Sequence, residues 1–248
     1  MERGAGTVWN PKAHDRGELL SAELAPAVVA RRWAARYEGQ AGAVNRWVDH
    51  VRATTYENVP YADPASATAG ARVLLLLAEP GRDAEDGPGF VSLHDNDPTA
   101  TNLYRAAERA RLDLAITLLW HVVPWWVANP ARPPRDVLRE AATRAGPYLE
   151  QCVDLLDPAP SEVVLLGRPA QKAWDRLVRR HGLPAALSDA TVQHAPHPGP
   201  LTFARTDAAT GRAHSDLVVQ SLRIAGQRAR GESAGRPAGG PAGRRRPF

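Results

Sequence analysis

Three short, continuous apolar runs and a fourth, shorter strand pattern constrain the fold of this chain more than any other feature. The apolar runs lie at residues 72–78, 114–122 and 162–167, and the shorter pattern lies at residues 191–195. Such runs are typical of strands that are buried on both faces of a parallel sheet. Because helical segments separate them, the sequence predicts an α/β fold, a three-layer sandwich with a central, mainly parallel four-stranded sheet.

Segments with helical patterning separate these strands. The patterning predicts helices over residues 18–37, 43–53, 97–111, 135–156, 170–181 and 213–228. Asp97-Pro98 is a typical helix start, and Gly182 is a typical helix end. Pro26 and the Gly146-Pro147 pair are expected to interrupt the helices that contain them. Residues 59–64 are expected to be extended because prolines fix their backbone.

The length of 248 residues suits one large α/β domain. We expect an irregular segment at residues 1–17, a single domain at residues 18–229 and a disordered basic tail at residues 230–248. Residues 226–248 hold six Arg and one Glu, a net charge of +5 that leaves −1 for residues 1–225. The tail can gather phosphates, whereas the folded part is nearly neutral.

Other features of the composition restrict the class of protein. The single cysteine, Cys152, excludes a disulfide within the chain and a four-cysteine iron–sulfur cluster, and its helical context predicts a buried thiol. No apolar run approaches the roughly 20 residues that a membrane span needs. We therefore expect a cytoplasmic, monomeric protein with no membrane contact.

Acids and imidazoles beside prolines follow three of the four predicted strands. In an open parallel sheet, ligands bind at the carboxyl ends of the strands. The segments at these ends are Glu79-Pro80-Gly81, then His121 with Pro124-Trp125-Trp126, then Gly167-Arg168, and finally the stretch from His194 to Leu201. The prolines favour shaped loops rather than continuing strands, so the chemistry is expected at this edge of the sheet.

The order of these motifs resembles the uracil-DNA glycosylase superfamily, in a bacterial branch without an iron–sulfur cluster. The resemblance covers roughly residues 59–201, with further similarity at residues 89–102 and 163–171. The motifs that carry it are Glu79-Pro80-Gly81, Gly89-Phe90-Val91-Ser92, His121-Val122-Val123-Pro124-Trp125 and His197-Pro198-Gly199-Pro200-Leu201. It implies a DNA glycosylase that hydrolyses the N-glycosidic bond of an extruded base, with DNA as its partner.

The resemblance also implies roles for individual residues. Glu79 would stabilise the sugar cation or orient a water, and His197 would donate to the departing base. Phe90 would stack on the extruded base, and Leu201 would be the wedge that enters the DNA gap. His194, inside the fourth strand, is the weaker alternative to His197. The resemblance further implies that Pro80, Gly81 and His121 contact the base. It also implies that Gly199, Pro200, Trp125 and Arg168 contact the DNA.

Three departures from the family pattern bear on the substrate. His121 stands where the family has Asn, whose amide reads the uracil edge, so strict uracil selection is in doubt. Gly199 replaces a Ser, which removes a hydroxyl but lets the backbone approach DNA closely. Leu77 replaces a Gly of the first motif and reshapes the pocket floor. The base is therefore left open between uracil, another deaminated base and a modified pyrimidine, including the bulky modifications of phage DNA.

Three functions are compatible with these patterns. The first is a monofunctional glycosylase that needs no metal and no cofactor, since no Lys lies in the motifs to act as a lyase nucleophile. The second is a catalytically inactive DNA-binding module on the same fold; the retained Glu79 and His197 argue against it, whereas His121 keeps it open. The third is a nucleotide-binding α/β enzyme, which ranks last because no Gly-rich phosphate loop follows the first strand.

Overall fold

The computed structural model describes residues 6–55, 57–81, 88–127 and 133–232. Most of the tail expected at residues 230–248 lies outside the described residues. The strands are β1 Tyr61–Ala62, β2 Val73–Leu77, β3 Phe90–Val91, β4 Thr117–His121, β5 Glu162–Leu166 and β6 Thr191–Ala195.

Strands β2, β4, β5 and β6 form the central sheet in the order β4-β2-β5-β6, and every neighbouring pair is parallel. The four strands are those predicted, and the three-layer α/β sandwich is confirmed. Residues Val73 to Leu76 and Val163 to Leu166 have no exposed surface, which explains why both segments are continuously apolar. A parallel sheet of this kind brings the loops after all its strands to one edge.

A second sheet, of two strands, was not predicted. Strands β1 and β3 pair in parallel, with Tyr61 opposite Phe90. The expected extended segment at residues 59–64 supplies β1. Each strand has only two residues, too few for a periodic pattern, so only the tertiary contact reveals the pairing. Trp33 packs edge-on against both Tyr61 and Phe90, with each pair of ring centroids 5.2 Å apart.

The helices of the described residues are α1 Pro11–Asp15, α2 Pro26–Ala34, α3 Gly39–Thr54, α4 Pro98–Ala110, α5 Pro134–Arg144, α6 Gly146–Asp154, α7 Arg168–His181, α8 Pro200–Phe203 and α9 His214–Ala229. All of them except the short helices α1 and α8, which were not predicted, overlap predicted helices. Helices α4 and α9 pack together, as do α5 and α7, and both α7 and α9 contact β2 and β5. No helix among the described residues combines the length and the apolarity needed to cross a bilayer.

Two predictions near the N-terminus were wrong in detail. The helix predicted over residues 18–37 is restricted to α2, because Pro26 starts it. Residues 18–25 instead run beside the loop around Asp95, where the backbone N–H of Leu20 donates to the carbonyl of His94 at 2.9 Å. The segment at residues 1–17 is not wholly irregular, because Asn10 caps the short helix α1 and donates to the carbonyl of Leu93 at 3.0 Å.

Two predictions further along the chain are confirmed. Gly146-Pro147 separates α5 from α6. Cys152 is a buried free thiol, and burial raises its pKa.

Candidate functional site

A cavity of about 850 Å³ lies at the carboxyl edge of the central sheet. Its walls come from the loops after β2 and β6, the end of β4, strand β3 and the start of α4. Six residues predicted from the sequence line it, namely Glu79, Pro80, Gly81, Phe90, His121 and His197. These residues are up to 118 positions apart in the chain, so the fold has brought the motifs to one place.

Glu79 lies two residues beyond the end of β2, and its carboxyl group is partly buried in the cavity wall. Burial raises its pKa to about 7, although the backbone N–H of Val127 donates to Oε2 at 2.8 Å and acts in the opposite direction. A carboxyl group with a pKa near neutrality can exchange a proton with a reacting group under physiological conditions. Glu79 is therefore equipped for acid–base chemistry.

His121 is the last residue of β4 and pairs with Leu77 of β2 in the sheet. Its side chain is only 4% exposed, and burial lowers its pKa to about 3, so the ring is neutral. No group in the described part of the chain forms a hydrogen bond with its buried Nδ1. Since leaving a buried polar atom unpaired costs free energy, this nitrogen is a candidate contact for a ligand in the cavity.

His197 lies in the loop after β6, and a hydrogen bond within the loop fixes its tautomer. Its Nδ1 accepts from the backbone N–H of Gly199 at 2.8 Å. Burial lowers the pKa of His197, which favours the neutral ring, so the ring proton lies on Nε2. Asn102 of α4 donates to the carbonyl of Pro198 at 2.9 Å and anchors the loop. The loop thus presents a neutral imidazole with one N–H donor.

Two glycines permit this position of His197. A Cβ atom on Gly199 would lie 2.7 Å from Nδ1 of His197, and a Cβ atom on Gly167 would lie 2.7 Å from its Cβ. Gly167 also has a φ of +93°, a conformation that other residues rarely adopt. The glycine at position 199 therefore has a structural reason, because a side chain there would displace the imidazole.

Phe90 is both a core residue and part of the cavity wall. Its side chain has no exposed surface and packs on Trp33 with ring centroids 5.2 Å apart. Ser92, which also lines the cavity, donates to Oδ2 of the buried Asp63 at 2.5 Å, while Arg32 forms an ion pair with Oδ1 at 3.0 Å. Burial opposes the ionisation of Asp63, but His94, Arg32 and Ser92 outweigh burial and hold its pKa below the ordinary value.

The residues predicted to contact DNA differ in their exposure. Leu201 is 84% exposed, and Pro200 and Arg168 are also on the surface. Gly199 is buried beside His197, and His194 is exposed on β6 outside the cavity lining.

Trp125, which was predicted to contact DNA, is buried in the core of this structure. Trp125 is 2% exposed and packs against Tyr148, with ring centroids 5.0 Å apart, beneath the guanidinium of Arg144. Its neighbour Trp126 lines the cavity instead. A pair of adjacent aromatic residues after a proline gives no sequence signal that tells which one turns inward, so the tertiary structure had to decide.

Asp95 is a cavity residue that sequence reasoning missed, although it lies in the stretch at residues 89–102 that resembles the family. Its Oδ2 accepts from the backbone N–H of Ser92 at 3.1 Å, whereas its Oδ1 is buried and has no hydrogen-bond partner within the described ranges. Burial, together with the nearby carboxylates of Asp97 and Asp63, raises the pKa of Asp95 well above its ordinary value.

Fold and cavity together define a three-layer α/β protein with a partly polar pocket at the carboxyl edge of a parallel sheet. Within the described residues, no group of three or more His, Cys, Asp or Glu side chains is arranged to hold a metal ion. Comparison of the sequence with models of known protein families and with curated proteins gives no match. The function is therefore inferred from the chemistry of the site itself.

Proposed function

We propose that the protein is a monofunctional DNA glycosylase that hydrolyses the N-glycosidic bond of an extruded damaged or modified base. The observation that carries this proposal is the convergence of Glu79, His121 and His197, from three different strand ends, on one cavity. The cavity volume of about 850 Å³ is within the range of small-molecule sites and leaves room for an extruded base.

The proposed reaction needs two stabilising groups and a water. The bond between C1′ of the sugar and the base nitrogen breaks, and its electron pair leaves with the base. The Glu79 carboxylate stabilises the positive charge that develops on the sugar, orients the water and accepts its proton as the water oxygen bonds to C1′. The Nε2–H of His197 donates to the negative charge that develops on the departing base.

The surface around the cavity suits a bound duplex. Leu201 projects from α8 four residues after His197 and is the most exposed large apolar side chain of the described residues. An apolar wedge can enter the stack and occupy the gap that the extruded base leaves. Because the wedge Leu201 and the proposed donor His197 lie close together in the chain, insertion of Leu201 into the DNA would bring the extruded base to His197.

His121 is the proposed reader of the base edge. A neutral imidazole donates from one nitrogen and accepts at the other, but with a spacing and ring size different from those of the Asn amide that reads uracil in the resembling family. We therefore propose a substrate other than plain uracil as the preferred base, either another deaminated base or a modified pyrimidine.

The decisive experiment is an excision assay on oligonucleotides that each carry one base lesion or modification. We expect the wild-type protein to produce alkali-labile abasic sites from at least one of these substrates in the presence of EDTA. The variant that combines Glu79→Gln with His197→Ala should bind the same substrate but release no base. If the wild type binds the DNA and releases no base from any substrate, the inactive DNA-binding module becomes the better reading.

A further inference from the structure

The carboxyl group of Asp95 is held on one side and unsatisfied on the other. Its Oδ2 accepts from the N–H of Ser92, while the buried Oδ1 has no hydrogen-bond partner in the part of the chain that the structure describes. Asp95 lines the same cavity as His121, which is 4% exposed and whose Nδ1 also has no hydrogen-bond partner among the described residues. Each of these two cavity-lining residues thus carries one buried polar atom without a hydrogen-bond partner among the described residues, which makes both atoms candidate contacts for a ligand.

The loop that carries Asp95 is fixed from both sides. Leu20 donates to the carbonyl of His94 at 2.9 Å, and Asn96 donates to the carbonyl of Leu20 at 3.3 Å. Ser92, whose N–H contacts Asp95, is itself held by the hydrogen bond from its hydroxyl to Asp63. The carboxyl group of Asp95 therefore has little freedom to find another partner, and its position is set before a ligand arrives.

The surroundings of Asp95 favour the neutral carboxyl group. Burial and the carboxylates of Asp97 and Asp63 all disfavour a negative charge at this position, and the hydrogen bond from Ser92 only partly offsets them. Because Oδ2 already accepts from an N–H, the proton of the neutral group lies on Oδ1. A hydroxyl donor is then the group left unpaired in the cavity.

We propose that Asp95 is a specificity-determining residue of the cavity, whose Oδ1 hydroxyl donates a hydrogen bond to a carbonyl oxygen of the bound base. This inference rests on the proposed function, because it names the chemistry of the base that the site selects. A base with an amine at that position would place donor against donor and leave both unpaired. Such a mismatch in a buried site lowers affinity on the order of tenfold or more.

The test compares two free ligands that differ in these groups, uracil and 2,4-diaminopyrimidine, in which amines replace both carbonyls. Dissociation constants are measured for the full chain by ligand-observed NMR titration. Asp95→Asn keeps the shape and can donate from its amide nitrogen while its oxygen accepts from Ser92, so it should keep the preference for uracil. Asp95→Leu has a similar shape but no donor, so it should lose the preference by about tenfold.

Glu162→Gln is the matched control. Glu162 is also a buried acid whose pKa is raised by burial, but it lies at the start of β5, at the other end of the sheet from the cavity, and accepts from Gln193 at 2.9 Å. This control should leave the ratio of the two dissociation constants unchanged. Thermal unfolding of each variant verifies that it is folded before the ratio is interpreted.

The dependence on pH separates a hydroxyl donor from a carboxylate. The preference of the wild type for uracil should vanish once the pH rises past the pKa of Asp95, while that of Asp95→Asn should change less. The other titratable or charged groups around Asp95 are present in both proteins. Those that line the cavity or act on Asp95 are Glu23, Asp63, Glu79, Asp97, His121 and His197, and those that pair with Asp63 are Arg32 and His94. Tighter binding of the diamine than of uracil at neutral pH, abolished in Asp95→Asn, would overturn the inference because it shows an ionised Asp95.

Failure of this inference is distinguishable from failure of the glycosylase proposal. If Asp95→Leu keeps the wild-type preference while the wild type still releases bases from DNA, Asp95 has no part in selection and the glycosylase stands. If the preference for uracil depends on Asp95 but no oligonucleotide loses a base, the binding inference stands and the glycosylase proposal falls.

Discussion

The imidazole of His197 accepts a hydrogen bond at Nδ1 from the backbone N–H of Gly199 at 2.8 Å, and a Cβ atom on Gly199 would lie 2.7 Å from that same nitrogen. The hydrogen bond fixes the neutral tautomer with its proton on Nε2. Because Gly199 has no side chain, the imidazole ring can occupy the space beside it. This pair connects the glycine at position 199 directly to the proposed chemistry.

Gly199→Ala should therefore lower the rate of base release on the order of tenfold to a hundredfold, because the added methyl group moves the imidazole away from the departing base. Single-turnover rates on the best substrate measure the effect. The control is a double-mutant cycle, in which Gly199→Ala should have almost no further effect in a His197→Ala background. Equal effects in both backgrounds would show that Gly199 acts independently of His197.

Glu79→Gln should slow base release by at least about tenfold while leaving DNA binding nearly intact, since positioned acid–base groups typically contribute 10²–10⁴-fold. The wild-type rate should rise with pH through about 7 as Glu79 ionises, and the variant should lack this rise. Glu23→Gln is the matched control, because Glu23 lines the same cavity with an exposed side chain away from the strand ends. An unchanged rate in Glu79→Gln would remove Glu79 from the mechanism.

The same residue should make stability depend on pH. Folding raises the pKa of Glu79 from 4.5 to about 7, so its protonated form is favoured in the folded state. The stabilisation of the folded state by protonated Glu79 is fully present below pH 4.5 and is lost as the pH rises through about 7. Urea unfolding should show that Glu79→Gln gains about 1–2 kcal/mol over the wild type between pH 4.5 and pH 8, after allowance for the partial exposure of Glu79. A difference that is constant over this range contradicts the prediction.

His121→Asn should shift substrate preference toward uracil by about tenfold or more, because an Asn amide can pair with the uracil edge that the imidazole does not match. The wild type should excise uracil poorly relative to its preferred base. Ratios of kcat/KM for the two substrates, measured for both proteins, provide the comparison. Efficient uracil excision by the wild type that is unaffected by His121→Asn would restore an ordinary uracil glycosylase.

Leu201→Ala should weaken excision from duplex DNA by about tenfold while changing the free energy of unfolding by less than about 0.5 kcal/mol, because the side chain is 84% exposed and is buried only when it enters the DNA stack. Excision from single-stranded DNA should change less, since no duplex must be opened. Leu183→Ala, at a leucine that is 41% exposed outside the cavity lining, is the control. Equal losses on both kinds of DNA would exclude a wedge.

Much of the central sheet was predictable because its information is local. The apolar runs that became β2, β4 and β5 are buried on both faces, so each strand carries its own signal regardless of its partners. The position of the site followed from the same property, since the loops after parallel strands meet at one edge and Glu79, His121 and His197 all follow or end such strands.

Other features depend on contacts between residues that are distant in sequence, and the tertiary structure alone decided them. The pairing of β1 with β3 involves two residues from each strand, and the inward turn of Trp125 rather than Trp126 depends on the distant Tyr148. That Oδ1 of Asp95 has no hydrogen-bond partner within the described ranges is likewise a property of its surroundings. A sequence pattern records which residues prefer burial, whereas hydrogen-bond satisfaction and desolvation are set by the complete packing around each group.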